Sequence, residues 1–150
     1  MCSMLVKETI SYYTNNDTDV YCIFLDLTKA FDKVNYGKLF GILLDRSIPA
    51  VVVRFLLNQY LGHSTHVSWN GFNSQVFSVS NGVKQGGVLS PVLFCLYIDL
   101  LLIRLSQSGV GCHIGNHFLG SLAYADDITL LAPTPSAIRK MLNVCDEFAI

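Results

Sequence analysis

Two apolar runs with the composition of β-strands contain acidic residues, and this pattern limits the folds that the chain can adopt. The run from Val20 to Leu27 (VYCIFLDL) is rich in β-forming residues and contains Asp26. The run from Phe118 to Ala132 is broken at Asp126 and Asp127. Continuous apolar runs predict strands that are buried on both faces. The paired acids predict a tight turn between two strands.

Carboxylates at the ends of buried strands need compensation. An unpaired buried charge costs several kcal/mol, and like charges brought together repel one another. Neither run has an arginine near its acids. Divalent cations would compensate, because Mg²⁺ takes one or two carboxylates together with water and phosphate, and two such ions can clamp a phosphoryl transfer. Taken alone, Asp126 and Asp127 favour an ordinary polar hairpin turn, which is the commonest use of such a pair.

The other segments alternate between helical and strand-like patterns. Apolar spacing and start signals predict helices over five segments: Met4–Tyr13, Tyr36–Asp45, Pro49–Leu61, Ser90–Leu105 and a last one from Thr134. Turn residues predict a hairpin over Thr65–Val79 with its turn at Asn70–Gly71, followed by a glycine-rich loop over Asn81–Gly87 and a strand over Gly111–Ile114. This mixture predicts the α+β class: a mainly antiparallel sheet with helices packed on one face.

Composition excludes several classes of protein. With 150 residues, 51% of them hydrophobic and 14% charged, the chain is a compact domain and not a disordered segment. The net charge of -1 lacks the basic surface of a stand-alone nucleic-acid binder, so any such role must rest on a local site. Five scattered cysteines, most of them within apolar runs, predict buried free thiols in a reducing compartment. A zinc site at Cys112, His113 and His117 is disfavoured, because the usual ligand spacing is missing.

The apolar run from Val88 to Leu105 raises the question of a membrane. It contains Pro91, Asp99 and Arg104 and falls short of the ~20 apolar residues that span a bilayer. We therefore expect a core helix and no membrane partner, with a membrane protein as the weaker alternative. The N-terminus lacks the pattern of a secretory signal, which predicts an intracellular protein without distinguishing cytoplasm from nucleus.

Three segments in this order carry a family resemblance. FLDLTKAFD (Phe24 to Asp32), NGVKQGGVLSP (Asn81 to Pro91) and YADD (Tyr124 to Asp127) resemble motifs A, B and C of reverse transcriptases. The connecting text, including IPAVVVRFL and SPVLFCLYIDLLL, is similar to that of non-LTR (LINE-type) retrotransposons. YADD alone is a weak signal. The three motifs in register are a specific one.

The resemblance implies a polymerase palm in which the motif A strand lies beside the motif C hairpin. The implied activity is RNA-directed DNA polymerisation, in which a dNTP is transferred to a primer 3′-hydroxyl on an RNA template. The implied cofactor is a pair of Mg²⁺ ions, with Mn²⁺ as a substitute. Asp26, Asp126 and Asp127 are implied as catalytic residues and metal ligands, and Leu27 as a further metal ligand.

The resemblance also implies substrate-binding roles for Phe31, Gln85, Gly86 and Tyr124. Phe31 falls at the steric-gate position, where a ring excludes a ribose 2′-hydroxyl and favours deoxynucleotides. A core phenylalanine and a packed strand tyrosine are the alternatives for Phe31 and Tyr124. Lys84 is consistent with either a phosphate contact or a solvated side chain, and Asp32 with a solvated surface residue.

By this resemblance, residues 1–150 correspond to a partial reverse transcriptase domain. Most of the fingers, motif D onward and the thumb are expected on other segments of a longer polyprotein. We therefore expect weak or no polymerisation by residues 1–150 alone. The alternative is a non-catalytic retroelement remnant that keeps the palm fold as a structural or binding module. The presence of all three acids favours catalysis.

Overall fold

The computed structural model describes residues 2–149, and the chain divides into two compact units. Unit 1 consists of Met1–Thr28 together with Ile98–Ile150, and unit 2 consists of Lys29–Tyr97. The sequence did not predict this division. The chain passes from unit 2 into unit 1 within the helix Ser90–Gln107.

The helices are α1 (Cys2–Thr14), α2 (Tyr36–Asp45), α3 (Ala50–Tyr60), α4 (Ser90–Gln107) and α5 (Pro135–Ala149). The strands are β1 (Tyr21–Asp26), β2 (Ser64–Thr65), β3 (Ser68–Trp69), β4 (Phe72–Asn73), β5 (Phe77–Ser78), β6 (His113–Ile114), β7 (His117–Phe118), β8 (Ser121–Tyr124) and β9 (Asp127–Ala132). All five predicted helices are confirmed. Within residues 2–149 every strand pair is antiparallel, in four small sheets rather than one. The α+β class is confirmed.

Unit 1 is built around a three-stranded sheet in the order β1-β9-β8. Its central strand β9 is almost entirely buried from Ile128 to Ala132. Helix α5 packs against β9 and β1, and α1 packs against β8. The middle strand therefore holds the core of this unit, because it lies between two neighbours and beneath a helix.

Strand β1 is only partly buried, so the prediction of burial on both faces is wrong. Exposure alternates along the strand: Ile23 and Leu25 are half-buried, whereas Phe24 is 76% exposed. The physical reason is that β1 is an edge strand and only one of its faces is partly covered. A continuous apolar run does not by itself distinguish a central strand from an edge strand.

A short hairpin of β6 and β7 connects the N-terminal helix to the sheet of unit 1. The Tyr13 hydroxyl donates to the backbone carbonyl of His113 (3.0 Å) and accepts from its N–H (2.8 Å). The backbone N–H of Cys112 donates to Leu131 of β9 (2.9 Å). Burial raises the pKa of the Cys112 thiol to about 11. Among the cysteines of residues 2–149 it alone is buried, so the predicted burial of most of them is wrong.

Unit 2 contains a helical pair. Helix α2 begins at Asn35, whose side chain accepts a hydrogen bond from the backbone N–H of Lys38 (3.0 Å), as is typical of a helix N-cap. Helices α2 and α3 pack together. The rings of Tyr36, Phe40 and Tyr60 meet edge to face or tilted between these two helices.

The segment between α3 and α4 forms the predicted hairpin. Strand β2 pairs with β5 and β3 pairs with β4, so one hairpin carries two short ladders. Asn70 and Gly71 form the turn, with φ values of +48° and +81°, as a type I′ turn requires. Trp69 lies beside this turn and is 81% exposed.

Helix α4 has a stripe of buried residues at helical spacing. Its buried apolar side chains are Leu93, Phe94, Tyr97, Ile98, Leu101 and Leu105. By length and composition this helix is apolar enough to cross a membrane, and 33% of it is buried. The stripe supports a core helix. The expectation of no membrane partner stays a prediction.

Candidate functional site

Three aspartates lie at one end of the sheet of unit 1. Asp26 is the last residue of β1 and Asp127 is the first residue of β9, and the two are directly opposite each other. Tyr124, the last residue of β8, is opposite Asp127 on its other side. Directly opposed residues of antiparallel strands project from the same face of a sheet. The register therefore places Asp26, Asp127 and Tyr124 in one row across the three strands.

Asp126 lies in the two-residue turn that connects β8 to β9. Its neighbour Ala125 has a φ of +53°, in the left-handed region that favours glycine. A non-glycine residue there costs roughly 1–2 kcal/mol. The predicted tight turn at the acidic pair is confirmed, with Asp126 at its tip and Asp127 already in the strand.

All three aspartates are exposed, which corrects the expectation of carboxylates at the ends of buried strands. Tyr124 is 74% exposed and is not a packed strand residue. The acids lie at one end of the sheet, and Asp26 belongs to one of its two edge strands. Their electrostatic cost is therefore mutual repulsion and not desolvation. Like charges directly opposite each other in a sheet destabilise it.

The arrangement fits a hard divalent cation only in part. Within the described residues, no group of three His, Cys, Asp or Glu side chains is placed to hold an ion. Two adjacent carboxylates suit Mg²⁺, which keeps water and phosphate oxygens as its other ligands. Leu27 directly follows Asp26 outside the strand, and its backbone carbonyl is an oxygen of the type that such ions accept.

The predicted substrate residues of motifs A and B lie in unit 2. Phe31 opens a short 3-10 turn, Phe31–Lys33, and is half-buried. Its ring meets that of Phe94 edge to face, with the centroids 5.0 Å apart. Gln85 is exposed, and its amide Nε2 donates to Oδ1 of Asp32 at 2.9 Å.

The hydrogen bond between Asp32 and Gln85 was not predicted from the sequence. The sequence was consistent with a solvated surface side chain, whereas the structure pairs it with Gln85, 53 positions away. No local spacing pattern predicts a contact across that distance. The available signal was weaker: Asp32 closes the motif A segment, and Gln85 lies within the motif B segment.

The glycines of the motif B segment differ in their surroundings. Gly86 has a φ of +79°, and an added Cβ would meet no atom within 4 Å. It is therefore required for backbone conformation and leaves open space beside the loop. At Gly87 an added Cβ would lie 2.8 Å from Oγ of Ser90 and 3.0 Å from the carbonyl oxygen of Lys84. Gly87 is therefore required for packing.

A cavity of about 420 Å³ opens beside this loop within unit 2. Its polar lining includes Asp32, His63, Asn81, Lys84 and Gln85. The Lys84 ammonium lies 5.5 Å from the centroid of the Tyr60 ring, within the range of a cation–π interaction. Lys84 is therefore held against an aromatic ring and is not freely solvated.

Comparison with known proteins points to one family. The sequence profile of the family described as reverse transcriptase (RNA-dependent DNA polymerase) matches residues 3–150. The chain is 35% identical over 128 residues to the retrovirus-related Pol polyprotein from the type-2 retrotransposable element R2DM of Drosophila melanogaster, which covers 85% of this chain. It is 30% identical over 124 residues to the corresponding polyprotein of the type-1 element R2 of Nasonia vitripennis, which covers 83%.

A third relative is named as a polymerase. It is the probable RNA-directed DNA polymerase from transposon X-element of Drosophila melanogaster, 33% identical over 95 residues and covering 62% of this chain. The aligned segments make up only 12%, 12% and 10% of these three relatives. The chain thus spans about a tenth of the length of the proteins that it resembles.

Proposed function

We propose that this chain, which belongs to the reverse transcriptase (RNA-dependent DNA polymerase) family, forms the palm core of an RNA-directed DNA polymerase. The reaction is transfer of a nucleotide from a dNTP to a primer 3′-hydroxyl on an RNA template. The observation that carries the proposal is the register of the sheet, in which Asp26 is opposite Asp127 with Asp126 at the adjacent turn. Three exposed acids at one end of a sheet form a surface for cations and not for nucleic-acid phosphates.

The carboxylates of Asp26, Asp126 and Asp127, with the backbone carbonyl of Leu27, would hold two Mg²⁺ ions, or Mn²⁺ in their place. When bound, such ions neutralise charge and act as Lewis acids at the transferred phosphate. The role of the protein is placement: β-sheet pairing fixes Asp26 against Asp127, and the strained turn at Ala125 fixes Asp126 beside them. Preorganised charge of this kind needs little rearrangement during reaction.

The unit 2 residues would contact the nucleotide and the template. Phe31 would exclude a ribose 2′-hydroxyl, and its edge-to-face contact with the ring of Phe94 would help to hold it in place. Gln85 would present its amide to a base or sugar, and Gly86 leaves space for close approach of the backbone. Tyr124, on the exposed row with the acids, would lie beside the primer terminus.

The remaining contacts of such an enzyme would come from segments outside these 150 residues. The relatives are polyproteins of which the matched part is 12%, and polymerase affinity for template and primer depends largely on phosphate contacts. We therefore propose that the chain binds metal and nucleotide but extends a primer weakly on its own, and that fingers and thumb segments of a longer polyprotein complete it.

Thermal melting in MgCl₂ or MnCl₂ tests the metal site. An ion with a dissociation constant near 1 mM, added at 10 mM, would stabilise the folded chain by about 1.4 kcal/mol, or roughly 3–5 °C for a chain of this size. Asp126→Asn should abolish the gain, because it removes one ligand charge. Asp19→Asn is the matched control, since Asp19 is an exposed acid of unit 1 that precedes β1, whereas Asp26 is at the other end of that strand. An equal gain in wild type and Asp126→Asn would contradict the proposal and favour the non-catalytic remnant.

Nucleotide preference tests the role of Phe31. Phe31→Ala opens the space that the ring occupies, so binding of CTP should approach that of dCTP in the presence of Mg²⁺. Phe31→Tyr keeps the ring and should keep the preference. Titrations of the isotope-labelled chain followed by NMR measure both affinities. An unchanged sugar preference in Phe31→Ala would remove this role from Phe31.

A further inference from the structure

The turn that carries Phe31 is held by a loop some fifty residues later in the chain. The backbone N–H of Val83 donates to the carbonyl of Phe31 (2.8 Å), and that of Gly82 donates to the carbonyl of Val34 (2.9 Å). These two bonds lie on either side of the turn Phe31–Lys33. The backbone position of Phe31 is therefore set by Gly82 and Val83.

Gly82 approaches this turn too closely to carry a side chain. An added Cβ would lie 2.9 Å from three atoms: the Cα of Asp32, its carbonyl oxygen, and the carbonyl oxygen of Phe31. Its φ is +90°, a conformation that side chains rarely allow. Because all three neighbours are backbone atoms, they cannot rotate aside. Any larger residue at this position must push the turn away from the loop.

Asp32 forms a third connection between the same two segments. Its carboxylate only accepts hydrogen bonds, so the nitrogen of the Gln85 amide must face it, as the 2.9 Å contact shows. The Phe31 ring contacts Phe94, which is only 2% exposed. The ring of Phe31 is thus packed against a buried aromatic residue, while its backbone is hydrogen-bonded to the loop.

We propose that Asp32 and Gly82 are positioning residues for sugar discrimination: without touching the nucleotide, they fix the Phe31 ring and the Gln85 amide relative to each other. The inference rests on the proposed function, because it assumes that Phe31 faces the sugar. The Phe31 ring would exclude the ribose 2′-hydroxyl by direct steric contact, so its position matters. A catalytic or binding group misplaced by about 1 Å can change a rate 10²-fold. A turn displaced by a side chain at position 82 moves by a comparable amount.

The test is the ratio of the dissociation constants for CTP and dCTP, measured by NMR titration of the whole chain with Mg²⁺. Asp32→Leu keeps the approximate shape but removes the acceptor, and Asp32→Asn keeps an acceptor oxygen for Gln85. Gly82→Ala adds the Cβ that has no room. Gly62→Ala is the matched control, because Gly62 also has a positive φ (+71°) but nothing within 4 Å of an added Cβ.

We expect Asp32→Leu to lower the ratio at least threefold and Gly82→Ala to bring it close to one. Asp32→Asn and Gly62→Ala should keep the wild-type ratio. A role confined to stability would lower the melting temperature and weaken both nucleotides equally, which leaves the ratio unchanged. If Gly82→Ala does not fold, Asp32→Leu decides the matter, since Asp32 is exposed and its replacement leaves the core intact.

The possible outcomes distinguish the positioning role of Asp32 and Gly82 from the proposed polymerase function on which it rests. A wild-type chain that binds neither nucleotide with Mg²⁺ removes the proposed function and the inference together. A wild-type chain that binds both equally removes the gate role of Phe31, and the positioning role with it. Discrimination that persists in Asp32→Leu and Gly82→Ala overturns the positioning role alone.

Discussion

Replacing Asp127 with asparagine should stabilise the metal-free chain. Asp127 is directly opposite Asp26 across β1 and β9, and both carboxylates are exposed. Asparagine keeps the size and a hydrogen-bonding oxygen but removes one of the two facing charges. The predicted gain is unusual for a polar strand residue, because it comes from relief of repulsion and not from any new contact.

The geometry sets the size of the effect. Directly opposed side chains have Cβ atoms about 4.5–5.5 Å apart, so their carboxylates lie roughly 6 Å apart. At that distance two unit charges in water repel by about 0.7 kcal/mol, and like charges that are directly opposite in a sheet are destabilising. For a chain of this size that corresponds to a rise in melting temperature of about 1–3 °C.

Circular dichroism melts in EDTA at low and high NaCl measure this difference. The gain should be larger at 10 mM than at 500 mM NaCl, since screening shortens the Debye length from about 30 Å to a few ångströms. Asp19→Asn, an exposed acid of the same unit, should change little. In MgCl₂ the wild type should melt at a higher temperature than Asp127→Asn, because the ion stabilises the wild type and the variant has lost a ligand.

Two results would refute the reasoning. If Asp127→Asn lowers the melting temperature in EDTA, the two carboxylates do not repel across the strand pair. If the wild type and Asp127→Asn gain equally from Mg²⁺, Asp127 is not a ligand. The first result bears on the register of the strands and the second on the metal site.

Three further predictions concern stability. Asn35→Ala removes the side-chain cap of α2 and should cost about 1 kcal/mol in urea unfolding, and equal stability would show that the cap is dispensable. Gly41→Ala, inside the same helix and with open space around an added Cβ, should stabilise by about 0.5–1 kcal/mol in the same assay, whereas a loss would reveal a hidden clash. Burial raises the pKa of Cys112 from 9.0 to about 11, so its neutral thiol stabilises the fold below pH 9. About 2–3 kcal/mol of the free energy of unfolding is lost as pH rises through 11. Urea unfolding at a series of pH values should show a smaller loss in Cys112→Ala, and an equal loss in both proteins would contradict the prediction.

Local features of the sequence predicted the elements well. The turn at Asn70–Gly71 followed from residue types that tolerate positive φ, and the observed angles are +48° and +81°. Helix α2 spans Tyr36–Asp45 as predicted, because its apolar spacing and its asparagine cap agree. The juxtaposition of Asp26 with the acidic turn was implied only by the resemblance, and the strand register places them together. Their catalytic roles stay a prediction.

Long-range features were not predictable from local patterns. The exposure of Phe24 depends on β1 being an edge strand, and strand order is not encoded in the apolar run itself. The contact of Asp32 with Gln85 joins residues 53 positions apart, and the need for glycine at position 82 arises from backbone atoms of another segment. Such constraints come from tertiary packing, which a single sequence does not display.

The outer position of β1 has a mechanical consequence. Both β1 and β8 are edge strands, but a two-residue turn joins β8 to β9, whereas β1 is far from β9 in sequence. We therefore expect β1 to fray from β9 more readily than β8 does. An ion shared by Asp26 and Asp127 would cross-link the end of β1 to β9. Amide hydrogen exchange in β1 should then slow on addition of magnesium far more than exchange in β8. The exchange rate of this one strand would therefore report whether the metal site is occupied.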